Sequence, residues 1–399
     1  MTAADSSRTR ALALIAAATF LTLAPLTLLV PGLQELVRDA HGGTRSDAHA
    51  FMAINMATGI LAVPLAMKML RRFPDPRPWI VGGLLLDAVS FLGMAHAGSL
   101  GALMTWRAID GMAHLPAVTM LMLAANRIGG ARRGGPLGVV AAALMFGVGV
   151  GAPVGGILID RGGPALVYQV GAALLGIAAL LGALLPRSVA TSNVPSRGYA
   201  WVRERAAGGM PVLFGFLDRF TIGVFTSTFT LFLAELHQVG ATERGRIMAL
   251  FLAPFAILSW PAGRLADRIG WRWPLVIGNL AFGALFASYG LVSMSLLPLV
   301  MVASGVASAL VFSPALVLVS ECARRGAGEG IFGAFQVAGS IGFLLGPVAG
   351  GVLVRFLSSG DGVRWETIFA LVGATLAAVG LLSYRVLTPL EARWAREDA

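Results

Sequence analysis

Charged residues and cysteine are both scarce in this sequence of 399 residues, and each scarcity excludes a class of protein. Asp, Glu, Lys and Arg together make up 13% of the chain, about half the share that a soluble domain carries. Cys322 is the single cysteine, so this sequence has no intramolecular disulfide, no cysteine-based metal cluster and no thiol pair for redox chemistry. Water is therefore not the expected solvent for most of the chain.

Long apolar runs fill the rest of the sequence, and hydrophobic residues are 57% of the total. A hydrocarbon core about 30 Å thick needs about 20 mostly apolar residues per helix. The first run, 11–34, has no charge and is too long for a cleaved signal, so we interpret it as a membrane helix. We predict an all-α integral membrane protein with twelve transmembrane helices at 11–37, 48–70, 78–98, 100–124, 136–160, 164–186, 210–236, 246–266, 272–293, 295–320, 328–356 and 366–387.

Two similar halves are indicated by landmarks that recur at a nearly constant separation. The matched pairs are Pro116 with Pro314, Arg127 with Arg325, Pro64 with Pro261, and Arg71 with Arg268. A repeat of this length predicts two six-helix halves, 1–186 and 210–399, joined by a polar cytoplasmic linker at 187–209. In such an arrangement a solute site is expected near the midplane, between the halves.

The net charge of +10 comes from basic residues clustered between the apolar segments. With the amino terminus in the cytoplasm, about two thirds of these residues fall in cytoplasmic segments, which predicts that both termini are cytoplasmic. These basic residues do not form the continuous positively charged surface to which a nucleic acid binds. Lys68 is the only lysine among 30 basic residues, which fits a GC-rich bacterial genome and hence the inner (plasma) membrane.

One loop carries a specific motif between the eighth and ninth predicted helices. The sequence from Gly263 to Gly270 is Gly-Arg-Leu-Ala-Asp-Arg-Ile-Gly, and it resembles the loop signature of the major facilitator superfamily. The resemblance implies the major facilitator fold over nearly the whole chain. It also implies a role in gating for Gly263, Asp267, Arg268 and Gly270.

Glycine and proline repeat within the fifth and eleventh predicted helices, in a pattern similar to the antiporter signature of drug and metabolite exporters in that superfamily. The residues concerned are Gly147, Gly151, Pro153, Gly155, Gly346, Pro347 and Gly350. Glycines spaced four apart also form a stripe that lets two helices approach closely. The direct role that we predict for them is helix packing, with bends expected near the prolines.

Ionisable residues inside the fourth predicted helix are candidates for proton coupling, since such groups are costly in a membrane. Arg107, Asp110 and His114 lie on one helical face because they are spaced three and four residues apart. The run from Arg107 to Gly111 resembles a superfamily motif whose arginine is implicated in proton coupling. The alternatives are a permanent ion pair between Arg107 and Asp110, and a packing role for His114.

The seventh predicted helix contains Asp218 and Arg219, which point about 100° apart. We predict that Asp218 carries substrate or a proton; the alternative is a structural ion pair. Arg219, Phe225 and Thr228 are further candidates for a substrate cavity, with lipid contact as the alternative for the phenylalanines. Asp87, in the third helix, is expected to have a structural partner.

The function predicted from these features is secondary active transport, with proton-coupled export of an amphipathic small molecule, drug-like or a secreted metabolite such as a siderophore, as the leading hypothesis. The resemblance implies alternating access and a monomer. A proton-coupled importer and a non-transporting membrane sensor are the alternatives. We expect no catalytic residues, no metal site, no cofactor and no nucleic-acid partner, because the sequence lacks a converging nucleophile and base.

Overall fold

A computed structural model of the protein describes residues 3–73, 75–129, 134–186, 206–322, 330–359 and 362–397. The helices are α1 Ala3–Leu28, α2 Arg45–Arg72, α3 Arg77–Ala95, α4 Leu100–Gly129, α5 Gly134–Ala183, α6 Ala206–Val224, α7 Thr230–Glu235, α8 Ala241–Ile269, α9 Arg272–Ser288, α10 Leu297–Cys322, α11 Gly330–Phe356 and α12 Trp365–Glu397. Two π-helical turns, Gln34–Asp39 and Phe225–Phe229, follow α1 and α6, and the strands β1 (Ser358–Ser359) and β2 (Gly362–Val363) form a short hairpin. Of the predicted linker, residues 187–205 lie outside the described part.

All twelve predicted segments fall on helices. Within the described residues, nine stretches are apolar and long enough to cross a membrane, and one of them, Ala142–Ala183, has 42 residues. That stretch contains two predicted segments, which are separated at Gly163, where φ is 66° and ψ is −166°. A glycine adopts this backbone without steric cost. The seventh segment consists of α6, the π-helical turn Phe225–Phe229 and α7, and α8 and α9 complete the twelve.

Several hydroxyl side chains inside the helices are satisfied locally. Thr19 and Thr22 each donate a hydroxyl hydrogen bond to the carbonyl four residues earlier, at 2.8 and 2.7 Å. Ser90 and Ser383 do the same at 2.8 and 2.6 Å. A hydroxyl with such an internal partner can be buried among helices without a large desolvation cost.

The chain divides into two compact units, of which unit 1 comprises Met1–Val194 and Phe229–Ala249. In unit 1, α5 packs along α1, while α4 packs against α2 and α3. The start of α2 is fixed by a capping box, in which the Thr44 hydroxyl accepts from the Asp47 amide and the Asp47 carboxylate accepts from the Thr44 amide. Such reciprocal bonds satisfy amides that the first helical turn leaves free.

Unit 2 comprises Pro195–Thr228 and Leu250–Ala399. Here α11 packs along α6, and α12 and α10 both pack on α9. The boundary between the two units falls within the π-helical turn Phe225–Phe229, at Thr228. The domain limits predicted above, 1–186 and 210–399, stay a prediction.

Large apolar side chains cover much of the outside of both units. Leu61 is 76% exposed and Leu180 67% in unit 1, and Ile257 is 67% and Phe356 80% in unit 2. Soluble proteins avoid contiguous apolar surface on this scale. The exposed apolar faces therefore indicate contact with lipid.

Candidate functional site

A fully buried ion pair lies within unit 1. Nη1 of Arg107 donates to Oδ2 of Asp110 at 2.5 Å, and both side chains are 1% exposed. Asn55, on α2, donates to the same carboxylate oxygen at 2.8 Å. The Arg107 guanidinium also donates to the Phe51 carbonyl at 3.2 Å and lies 4.8 Å from the centre of the Phe51 ring. Two donors thus share one oxygen of Asp110, and the bond from the arginine is charge-assisted.

The spacing of small residues explains how α2 comes close enough for Asn55 to reach Asp110. A Cβ atom placed on Gly111 would lie 2.0 Å from the Asn55 carbonyl oxygen, and one placed on Gly59 would lie 2.8 Å from the Gly111 carbonyl oxygen. Side chains at either position would separate the two helices. The glycine of the Arg107-x-x-Asp110-Gly111 motif therefore sets the distance between α2 and α4.

A second buried pair lies one turn further along α4. Nδ1 of His114 is 2.8 Å from Oδ2 of Asp87, on α3, and the two residues are 3% and 0% exposed. Ligand atoms of Asp87, Asp110 and His114 all lie within 4.8 Å of one another. We call Asn55, Asp87, Arg107, Asp110 and His114 the buried polar cluster.

Four atoms of the buried polar cluster have no hydrogen-bond partner among the described residues: Oδ1 of Asn55, Oδ1 of Asp87, Nη2 of Arg107 and Nε2 of His114. Buried polar atoms without partners are uncommon in proteins and need an explanation. Because Arg107 already supplies a full positive charge beside Asp110, a proton fits this cluster better than a divalent cation. Carboxylates and an imidazole are groups that can bind and release protons.

The sequence identified three of these five residues and did not identify the other two as candidates. Arg107, Asp110 and His114 were predicted to share a face, and the structure brings them together. Asp87 was expected to have a structural partner, and His114 occupies that position. Asn55 was missed, although an asparagine within an apolar membrane segment is itself a signal of a polar contact.

In unit 2, the side chains of Asp218 and Arg219 lie within ion-pair distance but too far apart for a hydrogen bond. Nε of Arg219 lies 3.7 Å from Oδ2 of Asp218, and that oxygen is buried without a hydrogen-bond partner among the described residues. The Arg219 guanidinium instead lies 5.1 Å from the centre of the Phe312 ring, on α10. A buried carboxylate oxygen without a hydrogen-bond donor is uncommon, and the role of Asp218 in carrying substrate or a proton stays a prediction.

Phe225 and Thr228 lie in the π-helical turn and are buried. The Phe225 ring is 5.1 Å from that of Phe251 and 6.1 Å from that of Tyr289, measured between centroids. Phe225 is 3% exposed, and Phe229 and Thr228 are both 0% exposed. Lipid contact is therefore wrong for these two phenylalanines, which belong to a packed interior.

The gating motif at the end of α8 has a visible structural role at its last glycine. Gly270 has φ of +85°, and a Cβ placed there would lie 3.0 Å from an oxygen of Glu391. Arg272 forms an ion pair with Glu391 at 3.0 Å. Arg268 is exposed, and Gly263 has room beside it. The side chain of Asp267 lies outside the described part, so its predicted role in gating is not addressed.

The glycines of α5 contact the backbone of α1. Cβ atoms placed on Gly147, Gly151 and Gly155 would lie 2.7, 2.4 and 2.1 Å from carbonyl oxygens of α1. In unit 2, a Cβ on Gly346 would lie 2.4 Å from a carbonyl oxygen of α6, and Pro347 contacts the same helix. The helices run on through Pro153, Pro347 and Gly350. Each unit thus contains one helix pair joined by a small-residue stripe.

In unit 1, ion pairs connect the π-helical turn after α1 and the start of α2 with the end of α7 and the start of α8. Glu235 accepts from Arg38 and, at 2.8 Å, from Arg45. Arg244, which is 2% exposed, pairs with Glu35. These contacts attach α7 and the start of α8 to the π-helical turn after α1 and to α2.

Glu235→Gln is expected to lower the free energy of unfolding by about 1.5–3 kcal/mol, because two arginines lose one partly buried charged acceptor. Thermal unfolding in detergent measures this change. The matched control is Glu243→Gln, whose pair with Arg246 leaves both side chains at least half exposed, so its expected effect is below about 1 kcal/mol. Equal effects for the two variants would contradict this prediction.

Twelve helical passes with lipid-facing surfaces and charged groups buried among the helices define a class, the multi-pass membrane transporters. The chain belongs to the Major Facilitator Superfamily, whose family model matches residues 15–206 and 212–398. Members of this superfamily lie in the membrane and bind small-molecule substrates. The predicted fold class, twelve helices in two halves, is thereby confirmed.

Two relatives are similar in sequence over part of their length. Multidrug resistance protein 2 of Bacillus subtilis is 29% identical over 159 residues, which are 40% of this chain and 38% of that protein. An uncharacterised MFS-type transporter of Mycobacterium tuberculosis is 31% identical over 147 residues, 36% of this chain and 24% of that protein. The matches thus span well under half of either relative.

Two solved structures share the fold. The nucleoside transporter NupG aligns with a TM-score of 0.76 at 14% identity, covering 94% of this chain and 99% of that one. A bacterial homologue of the human lysosomal transporter Spinster aligns with a TM-score of 0.76 at 14% identity, covering 95% of each chain. At this level of identity the likeness concerns the fold alone.

Proposed function

We propose that the protein is a proton-coupled exporter, which exchanges protons for an amphipathic small molecule by alternating access. It works as a monomer in the inner (plasma) membrane of a bacterium, with both termini in the cytoplasm, and it is not an enzyme. The buried polar cluster carries this proposal. Two carboxylates, an imidazole and a guanidinium lie within the membrane-spanning helices of unit 1.

We assign a function to the buried polar cluster because ionisable groups are costly to bury within a membrane. An ionisable group inside a membrane costs at least a few kcal/mol, and such groups mark ion pathways and proton relays. A buried polar network adds most to rigidity when all of its members are paired. Four atoms of the cluster have none among the described residues, which favours a site that exchanges protons.

Export of an amphipathic solute is supported by separate observations. The partial relative from B. subtilis is named a multidrug resistance protein. The fifth predicted helix has a glycine and proline pattern similar to that of antiporters. In unit 2, Asp218 has a buried carboxylate oxygen with no hydrogen-bond donor among the described residues, which is an acceptor for a cationic solute.

The test is proton flux in inverted membrane vesicles that hold an acid interior. Tetraphenylphosphonium, ethidium, and neutral and anionic amphipathic compounds are added in turn, and vesicles without the protein serve as the baseline. We expect at least one compound to release protons from vesicles that contain the protein. Asp218→Asn is expected to raise the half-saturating concentration of a cationic compound about tenfold, the equivalent of about 1.4 kcal/mol. Glu243→Gln, at an exposed position, is the control and keeps the original value.

Other outcomes identify the alternatives. Movement of compound in both directions without proton flux would show a uniporter, and proton-driven movement out of the inverted vesicles would show an importer. Either result contradicts the proposed export.

A further inference from the structure

We propose that the exchangeable proton is held by Asp87 and His114 together, while Arg107 and Asp110 remain a fixed ion pair. This assignment rests on the proposed function, because it names the group through which the proton is coupled. It places the coupling carboxylate on α3, a helix for which the sequence suggested only a structural role.

Asp110 is unsuited to carry the proton because its Oδ2 oxygen is already occupied. That atom accepts from the Arg107 guanidinium at 2.5 Å and from Asn55 at 2.8 Å. Protonation of Asp110 would weaken a charge-assisted hydrogen bond and leave a guanidinium uncompensated in the interior. Asp110 therefore positions Arg107 and keeps its negative charge.

Asp87 has the opposite surroundings. Its Oδ2 contacts Nδ1 of His114, and its Oδ1 has no hydrogen-bond partner among the described residues. Arg107 and Asp110 are the charged groups that act on both Asp87 and His114, and their charges offset one another. Unlike Asp110, Asp87 therefore has no guanidinium or amide donor of its own among the described residues, and its hydrogen-bond partner is an imidazole, which itself exchanges a proton.

The charge of the cluster fixes how many protons the pair holds. Arg107 and Asp110 sum to zero, so one proton shared by Asp87 and His114 makes the whole cluster neutral. Without that proton, two carboxylates within 4.8 Å share a single cation. With a second proton, the cluster has a net positive charge. Since net charge is costly in a low dielectric, the closed site holds one proton, and its loss requires access to water or to a compensating charge.

The orientation of the His114 imidazole also sets the direction in which a proton is transferred. Because Nδ1 faces Asp87, the atom left for an incoming proton is Nε2, which is buried and has no hydrogen-bond partner among the described residues. A proton that binds at Nε2 allows the proton on Nδ1 to move to Oδ2 of Asp87, so one proton enters and none is lost. The neighbouring groups are Asn55 on α2, Arg107 and Asp110 on α4, and Tyr168 on α5, whose ring lies 6.3 Å from that of Phe91, one turn beyond Asp87.

Infrared spectroscopy of the purified full chain in lipid vesicles tests the assignment without a transported compound. Difference spectra between acid and neutral pH record the carbonyl stretch of protonated carboxyl groups. We expect a band from a buried carboxyl group that disappears in Asp87→Asn and remains in Asp218→Asn. In His114→Gln the band is expected to remain, with its midpoint moved along the pH axis because the imidazole partner is gone. Asparagine at 87 keeps the size of the side chain and an acceptor for Nδ1 of His114.

Two results would overturn the assignment. The first is a band unchanged by Asp87→Asn. The second is a midpoint unchanged in His114→Gln, which decides the question even if Asp87→Asn does not fold. Elution volume and melting temperature, compared with the unmodified protein, establish that each variant is folded.

Proton flux in the vesicle assay separates failure of this assignment from failure of the proposed function. We expect Asp87→Asn to abolish solute-dependent proton release while it still carries the compound down its gradient. If Asp87→Asn releases protons as the unmodified protein does, the pair is overturned and proton-coupled export stands. If the unmodified protein moves no protons but shows the infrared band, proton-coupled export fails and the pair stands as a proton-binding site.

Discussion

Asp110→Asn is expected to lower the free energy of unfolding by about 3–5 kcal/mol, because it leaves the buried Arg107 guanidinium without a counter-charge. Arg107→Met is expected to cost a similar amount, since it leaves the Asp110 carboxylate unpaired. The variant that combines both substitutions removes both charges, and we expect it to be less destabilised than the sum of the two single variants. Thermal unfolding of the purified proteins in detergent measures all three.

The control for this comparison of single and double variants is an ion pair with the same spacing in a different environment. Glu243 and Arg246 also lie three residues apart, but their side chains are 50% and 71% exposed. We expect a coupling energy of about 0.2–1 kcal/mol for that pair, because water screens it. If the losses of stability in the two single variants added up to the loss in the double variant, Arg107 and Asp110 would have no coupling energy. Burial would then not strengthen their interaction.

Gly155→Ala is expected to lower the free energy of unfolding by about 1–3 kcal/mol or to prevent folding, because its Cβ would lie 2.1 Å from the Leu28 carbonyl oxygen. That atom is backbone, so relief requires α1 and α5 to separate. Gly342→Ala is expected to act in the same way in unit 2, since its Cβ would lie 2.1 Å from the Phe216 carbonyl oxygen. Yield after detergent extraction and melting temperature report both effects.

Gly149→Ala is the matched control on the same helix. No atom lies within 4 Å of a Cβ placed there, and alanine favours a helix over glycine by about 1 kcal/mol. We therefore expect Gly149→Ala to be neutral or slightly stabilising. A loss of stability as large as that of Gly155→Ala would mean that glycine content, and not close helix contact, is what matters in α5.

The helices were predictable because a membrane protein must be apolar for about 20 residues at each pass. All twelve segments fall on helices, but some ends differ widely from the prediction: α1 is Ala3–Leu28 against 11–37, and α12 is Trp365–Glu397 against 366–387. The break inside α5 at Gly163 falls between the predicted segments 136–160 and 164–186. The π-helical turn Phe225–Phe229 inside the seventh segment was not predicted, since the sequence indicated a single helix there.

The candidate site was predictable only along one helix. Arg107, Asp110 and His114 share a face by their spacing alone, so the periodicity of α4 was sufficient. Asn55 and Asp87 come from α2 and α3, and their distances to α4 depend on how closely those helices pack. The aromatic residues of the seventh segment show the same limit, since their composition did not distinguish lipid contact from the burial observed for Phe225.

Composition and spacing along the chain were enough to predict that this protein lies in a lipid bilayer, how many times its helices cross the bilayer and which residues would be costly to bury. These are local quantities. The two donors on Asp110, the pairing of Asp87 with His114 and the contact of the α5 glycines with the backbone of α1 became visible in the folded structure. A proton responds to every charge within a few ångströms, and those charges come from helices that are distant in sequence.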